Sequence, residues 1–170
     1  MVRLNLESKM IPLVVIEKIK KEVLNKLGVI DSFQLNDKID GIFYLKKQIK
    51  RVLSSYVIEK RFNISLIDKN KILKSKTKFN INEHTYEIIG VEIGDKIKIP
   101  NNDVSDFIVV GFFDNFRKNK ILGTITKEKS KQYKNTFSTS NNTISKDVLC
   151  SITEKELEKI EDNPNIMKLL

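Results

Sequence analysis

The run FIVVGFF at 107–113 carries no charged or hydrogen-bonding side chain. A strand of that composition needs a covering layer on each face, because an open face would leave apolar side chains in water. The chain therefore has to build something on both sides of it. The run lies inside a longer stretch, 77–126, whose apolar residues come in short groups broken by Gly, Asn, Asp and Pro. That rhythm predicts consecutive strands joined by tight turns. Phe79 and Ile81 open the stretch, and Tyr86, Ile88, Ile89, Val91, Ile93, Ile97 and Ile99 continue it. Gly90 and Gly94 are expected at a bulge or at turns, with Pro100 ending that group. Ile121, Leu122 and Ile125 predict a strand around Gly123. The alternation of Phe62, Ile64 and Leu66 predicts another ahead of the stretch.

The chain before these strands reads as helix. Pro12 suits a first helical turn, and Ile16, Ile19, Val23, Leu24 and Leu27 recur at helical spacing. Gly28 is placed to end that helix. A second helix is capped by Asn36 or Asp37 and runs to about Lys60. Its apolar stripe is Ile39, Ile42, Phe43, Ile49, Val52, Leu53, Tyr56 and Val57. After the strands, 127–146 is rich in Lys, Ser, Thr and Asn and reads as a polar loop anchored by Phe137. Thr153 and Glu156 have capping-box spacing, Leu157 and Ile160 give a short helix an apolar edge, and Pro164 is expected to stop it.

The expected fold is α+β, with two N-terminal helices packed on a mixed or mainly antiparallel sheet of five or six strands and a short C-terminal helix. One domain is expected. Its helical part is 1–61, its sheet 62–126, its polar loop 127–150, and its C-terminal helix and tail 151–170.

A chain of 170 residues can bury a core without disulfides or metals. The lone Cys150 excludes an internal disulfide. With the lone His84 it has neither zinc-site spacing nor the signature of a thiol nucleophile. No stretch approaches the ~20 apolar residues of a membrane span, and the charges near the N-terminus follow the apolar residues, unlike a secretory leader. An intracellular location is expected. Phosphate-binding glycine loops, dinucleotide fingerprints and nucleophile elbows are missing from the sequence. What remains is charge, with 31 Lys and Arg against 22 Asp and Glu, a net charge of +9. That excess points to a polyanionic partner: DNA, RNA or an anionic surface. The same abundance of Lys, Asn and Ile is also what an AT-rich genome produces.

Two groups of residues carry candidate chemistry. Lys46, Lys47, Lys50 and Arg51 share the polar side of the second helix, with Lys60 and Arg61 at its end. Such a face either contacts phosphates or is solvated. In or near the strand region Asp68, Glu87, Glu92, Asp95, Asp103 and Asp106 supply carboxylates, two or three of which could converge. Lys96 and Lys98 alternate with Ile97 and Ile99, so both point away from the apolar side. Converging carboxylates can hold Mg²⁺, and a neighbouring lysine can orient an attacking water; these are the parts of metal-assisted phosphodiester hydrolysis. Alternating charges on an exposed strand face are also common without any catalysis.

The order of elements resembles the restriction-endonuclease-like (PD-(D/E)XK) nucleases over about 37–131. The resemblance rests on a long helix, a strand, a charged hairpin, SDFIVVGFF at 105–113 and ILGTITKEK at 121–129. It implies a mixed sheet flanked by helices, Mg²⁺ held by acidic residues on the central hairpin, and DNA before RNA as the partner. It places the metal set at Glu87, Glu92 and Asp95, with Lys96 or Lys98 beside the scissile phosphate. The acid-x-lysine spacing of that family is replaced here by EIGDK at 92–96 and DKIK at 95–98. The expectation is a nucleic-acid-binding protein, either a divalent-metal-dependent endonuclease or a relative without the chemistry. A small β-barrel that binds single strands, or a protein-binding immunity or inhibitor domain, fits the same residues. A homodimer is compatible with each.

Overall fold

The computed structural model describes residues 10–29, 31, 34, 40–99, 104–134 and 150–169, the side chains of 133, 134, 150 and 151 excepted. In chain order the main elements are α1 (Leu13–Leu27), α2 (Gly41–Phe62), β1 (Lys78–Ile81), β2 (His84–Glu92), β3 (Ile97–Ile99), β4 (Asp106–Phe113), β5 (Lys118–Ile125), α3 (Lys127–Lys134), β6 (Cys150–Ile152) and α4 (Pro164–Met167). Pro12 precedes the first helical residue, and Gly28 ends α1 at φ 66°. The N–H groups of Gly28 and Val29 return to the carbonyls of Asn25 and Leu24, satisfying acceptors that a helix end leaves orphaned.

The class is α+β, as expected. The strands divide into a four-stranded mixed sheet, β1-β2-β4-β5, and a two-stranded ribbon, β3-β6. In the main sheet β2 and β4 run parallel, and the other neighbours are antiparallel. Burial explains the layering. Ile108, Val110 and Phe112 of β4 join Tyr86 and Ile88 under α1 and α2. Phe107 and Val109, pointing the other way, pack with Val91 and Ile125 against Ile97, Ile99 and Ile152 of the ribbon. The apolar run thus gains its two covers, helices on one face and a ribbon on the other.

The C-terminal segment links the two sides. Ile152 and Leu157 belong to the ribbon-side core, Ile160 and Ile166 to the helix-side core. The chain crosses the outer edge of β5 at Glu158, whose N–H and C=O each pair with Thr124 at 2.8 Å. Gly123, at φ 150°, makes room for the crossing, since a Cβ there would collide with the Glu158 carbonyl. Asn163 then fastens the far side. Its carbonyl oxygen accepts from the Tyr86 hydroxyl at 3.2 Å and from the N–H groups of Asn165 and Ile166, and its amide donates to Thr124 Oγ1 at 3.2 Å.

Several local expectations are corrected. The segment after α2 forms no strand. Phe62 still belongs to α2, and the Glu59 carboxylate takes the N–H groups of Leu66 and Ile67, both at 2.7 Å, which a ladder would need. Gly90 marks neither a bulge nor a turn. It sits inside β2, where a Cβ would lie 2.5 Å from the Lys50 carbonyl oxygen, so it lets α2 ride directly on the strand backbone. Gly94 does lie at positive φ in the following turn. The start of the polar loop is helical: Asp106 and Thr126 side chains accept from the N–H groups of Lys127 and Lys129 and so cap α3. The Thr153–Glu156 capping box is present, but it opens a 3-10 turn, and Pro164 begins α4 instead of ending a helix. Ile42 and Phe43, counted in the apolar stripe of α2, are exposed. Asn36, Asp37, Ile39, Asp103 and Phe137 lie outside the described residues.

Val109 is fully buried between the sheet and the ribbon. Val109→Asp puts a carboxylate there without a partner, a mechanism that costs well over what a small domain can lose. The expected outcome is loss of the cooperative thermal transition by circular dichroism at neutral pH. A melt at the wild-type temperature would contradict the two-sided burial of β4.

Candidate nucleic-acid interface

The carboxylate–lysine set is scattered. Glu87 and Glu92 both belong to β2, and five residues separate them. An odd separation in one strand sends the side chains to opposite faces, about 16 Å apart along the strand. Glu92 turns to the helix side and pairs with Lys50 of α2 at 3.7 Å. Glu87 lies on the ribbon side, in register with Phe107, and pairs with Lys78 at 3.6 Å. Asp95 and Lys96 are exposed in the turn after β2, and Lys98 is exposed on the outer side of β3. Glu92, Asp95 and Lys96 do line one small cavity of about 230 Å³. Among the described residues no three acidic, His or Cys groups come close enough to hold a metal ion together. The donors expected for Mg²⁺ therefore do not fit a shared ion here, and no catalytic step follows from them.

The α2 set divides in two. Lys46 and Lys47 are exposed. Lys60 is exposed and stands over the Tyr56 ring, 5.5 Å from its centroid. Lys50 is held by Glu92. Arg61 is half-buried and lines a cavity of about 350 Å³ with Met10, Ile11 and Tyr56, and burial draws its pKa below the usual arginine value. Arg51 is a clamp: its guanidinium donates to the carbonyls of Leu73 and Ser75, and its Nε to Gln48 at 2.9 Å. Burial draws its pKa down as well.

What Arg51 clamps is the charged connection between α2 and β1, which holds KNKILKSKTK at 69–78. A 3-10 turn, Ile72–Lys74, buries Ile72 against the helices. Three side chains fix the turn. Glu22 of α1 accepts from Ile72 N–H at 2.7 Å and from Leu73 N–H at 3.4 Å. Ser75 Oγ accepts from Asp68 N–H and donates to the Ile72 carbonyl. Asp68 accepts from the N–H groups of Asn70 and Lys71, both at 2.9 Å. Lys18 of α1 also donates to the Lys69 carbonyl. With its backbone held this way, the connection turns Lys69, Lys71, Lys74 and Lys76 to solvent. Lys18 and Lys21 of α1 and Lys47 of α2, one turn before Arg51, border them. Seven exposed lysines thus gather about this segment; of the carboxylates beside them Glu22 and Asp68 are engaged with backbone N–H groups, and Glu17, one turn before Lys21, pairs with Lys20. The lysine density of 69–78 is visible in the sequence; that the segment docks on two helices is not.

Comparison of the chain with protein-family models, with curated proteins and with solved structures finds no match.

The two kinds of cation should respond differently to mutation. Arg51→Ala leaves two carbonyls without their donor and should cost about 1–3 kcal/mol in urea unfolding. Lys47→Glu, on an exposed position, should stay within about 0.5 kcal/mol. The reverse order would mean that Arg51 is not a clamp. Asp68 is held below the ordinary aspartate range, first by the N–H groups of Lys71 and Asn70. A depressed carboxyl stabilises the fold above the unfolded pKa, about pH 4, and that contribution disappears as pH falls through the lower folded value. Urea midpoints measured between about pH 2 and pH 6 should therefore fall less steeply towards acid for Asp68→Asn than for the wild type.

Proposed function

We propose that this protein binds nucleic acid, chiefly through its phosphates, on the lysine face formed by 69–76 with α1 and α2. The observation that carries the reading is the gathering of seven exposed lysines, among which the carboxylates of Glu22 and Asp68 are already bonded to backbone and that of Glu17 to Lys20. The net charge of +9 adds long-range attraction for any polyanion. DNA is placed before RNA on the strength of the resemblance in element order. The reading is one of binding and not of cleavage, because Glu87 and Glu92 stand on opposite faces of β2 and do not converge on one phosphate. No helix among the described residues is long and apolar enough to cross a membrane.

Phosphate contacts release counterions, so affinity should fall steeply with salt, by a slope of about 0.7–0.9 per contact in a log–log plot. Fluorescence anisotropy with labelled DNA and RNA at several salt concentrations measures it. The triple variant Lys47→Glu, Lys71→Glu, Lys74→Glu should bind more weakly on every sequence and flatten the slope by about 2 or more. Unchanged affinity and slope in a folded triple variant would remove this face from the binding reaction.

A further inference from the structure

Phe43 is the most exposed large hydrophobic side chain among the described residues, with 73% of its surface in water. It stands in the first turn of α2, and Lys46 and Lys47 follow it at the spacings that share a helix face. The row continues from Lys47 to Arg51, which holds the lysine-rich connection through the carbonyls of Leu73 and Ser75. Each step of four residues climbs about 6 Å along a helix. The ring, the Lys47 ammonium and the clamped connection therefore form a row roughly 12 Å long, on the scale of successive nucleotides. An aromatic face beside a line of cations is the arrangement that takes a base on the ring and its phosphates on the lysines. In a duplex the base faces are already stacked on one another, so such a ring has nothing to receive; in a single strand they are free.

We infer that Phe43 is a stacking platform for an unpaired base, and that the nucleic acid taken by the lysine face is single-stranded, its backbone running over Lys46 and Lys47 towards Lys71 and Lys74. This inference rests on the binding reading above and adds the class of ligand to it. Base–aromatic stacking is tolerant of sequence, so the platform selects for unpaired strand and not for a particular base.

The test uses a labelled twelve-nucleotide oligothymidylate, a twelve-nucleotide abasic strand with the same phosphates, and a twelve-base-pair duplex. Phe43→Ala should weaken oligothymidylate binding by about tenfold or more and leave the abasic strand and the duplex unchanged. The chain contains no tryptophan, so Phe43→Trp supplies a single reporter. It should retain affinity, and its fluorescence should be quenched by oligothymidylate but not by the abasic strand. That second readout decides the matter if Phe43→Ala does not fold. Equal losses on all three ligands, no loss on any, or a reporter unmoved by oligothymidylate would overturn the stacking role, while the salt-dependent lysine effect would still stand. Failure of the wild type to bind any of the three would sink both readings. Concentration-dependent dimerisation in sedimentation that Phe43→Ala abolishes would instead make Phe43 a contact between copies of the chain.

Discussion

Two-sided burial of β4 is the constraint on which the rest of the molecule depends. Ile108, Val110 and Phe112 on one face and Phe107 and Val109 on the other are all shielded from water. Neither the helices nor the ribbon can supply both covers. The chain meets the demand with α1 and α2 as one layer and with β3 and β6, brought together, as the other. The ribbon joins residues before β4 to residues well after β5, so the second cover exists only once distant parts of the chain have met. Closing loops of that length costs entropy before any contact repays it, which places the ribbon late in assembly on general grounds.

Close approach of backbones holds the layers at their spacing. Gly90 allows α2 to sit on β2, and Gly123 allows the C-terminal segment to cross the edge of β5. That crossing also protects the sheet. A bare edge strand is a template for unwanted pairing, and the reciprocal bonds of Thr124 with Glu158 occupy part of it. Asn163 completes the closure by using its amide and carbonyl on Tyr86, Thr124 and the first turn of α4, so a single buried side chain ties the core of the sheet to the end of the chain.

The lysine face is built on the same logic of satisfied polar groups. The 68–76 segment has little apolar material to hold it down, and its backbone donors and acceptors would otherwise go to water. Glu22, Asp68, Ser75 and Arg51 take them instead. Three consequences come from that one arrangement: the segment is fixed, Glu22 and Asp68 are engaged with N–H groups, and its lysines are left facing outward. Arg51 therefore acts on the face without belonging to its exposed surface.

Element types were legible in the sequence wherever one strong local signal was enough. The apolar run at 107–113 read as a doubly covered strand, and all of it except the exposed Phe113 is buried. Gly28 ended α1, and Thr153 with Glu156 made their capping box. Local pattern failed where signals of equal strength competed, as at Phe62, Ile64 and Leu66, where alternation lost to the continuing helix and to the Glu59 carboxylate. The candidate site was legible as composition and not as geometry. Lys46 and Lys47 stand exposed, whereas Lys50 and Arg51, of the same charge and spacing, are taken by Glu92 and by the carbonyls of Leu73 and Ser75. Glu87 and Glu92 could have been assigned to opposite faces by parity, yet a bulge at Gly90 would have reversed that parity. Only the continuous pairing of β2 with β4 shows that no bulge is there. The lysine face is a product of tertiary contacts, because Glu22 and Arg51 reach it from 50 and 22 residues away, and no local pattern encodes which distant backbone groups a side chain will satisfy.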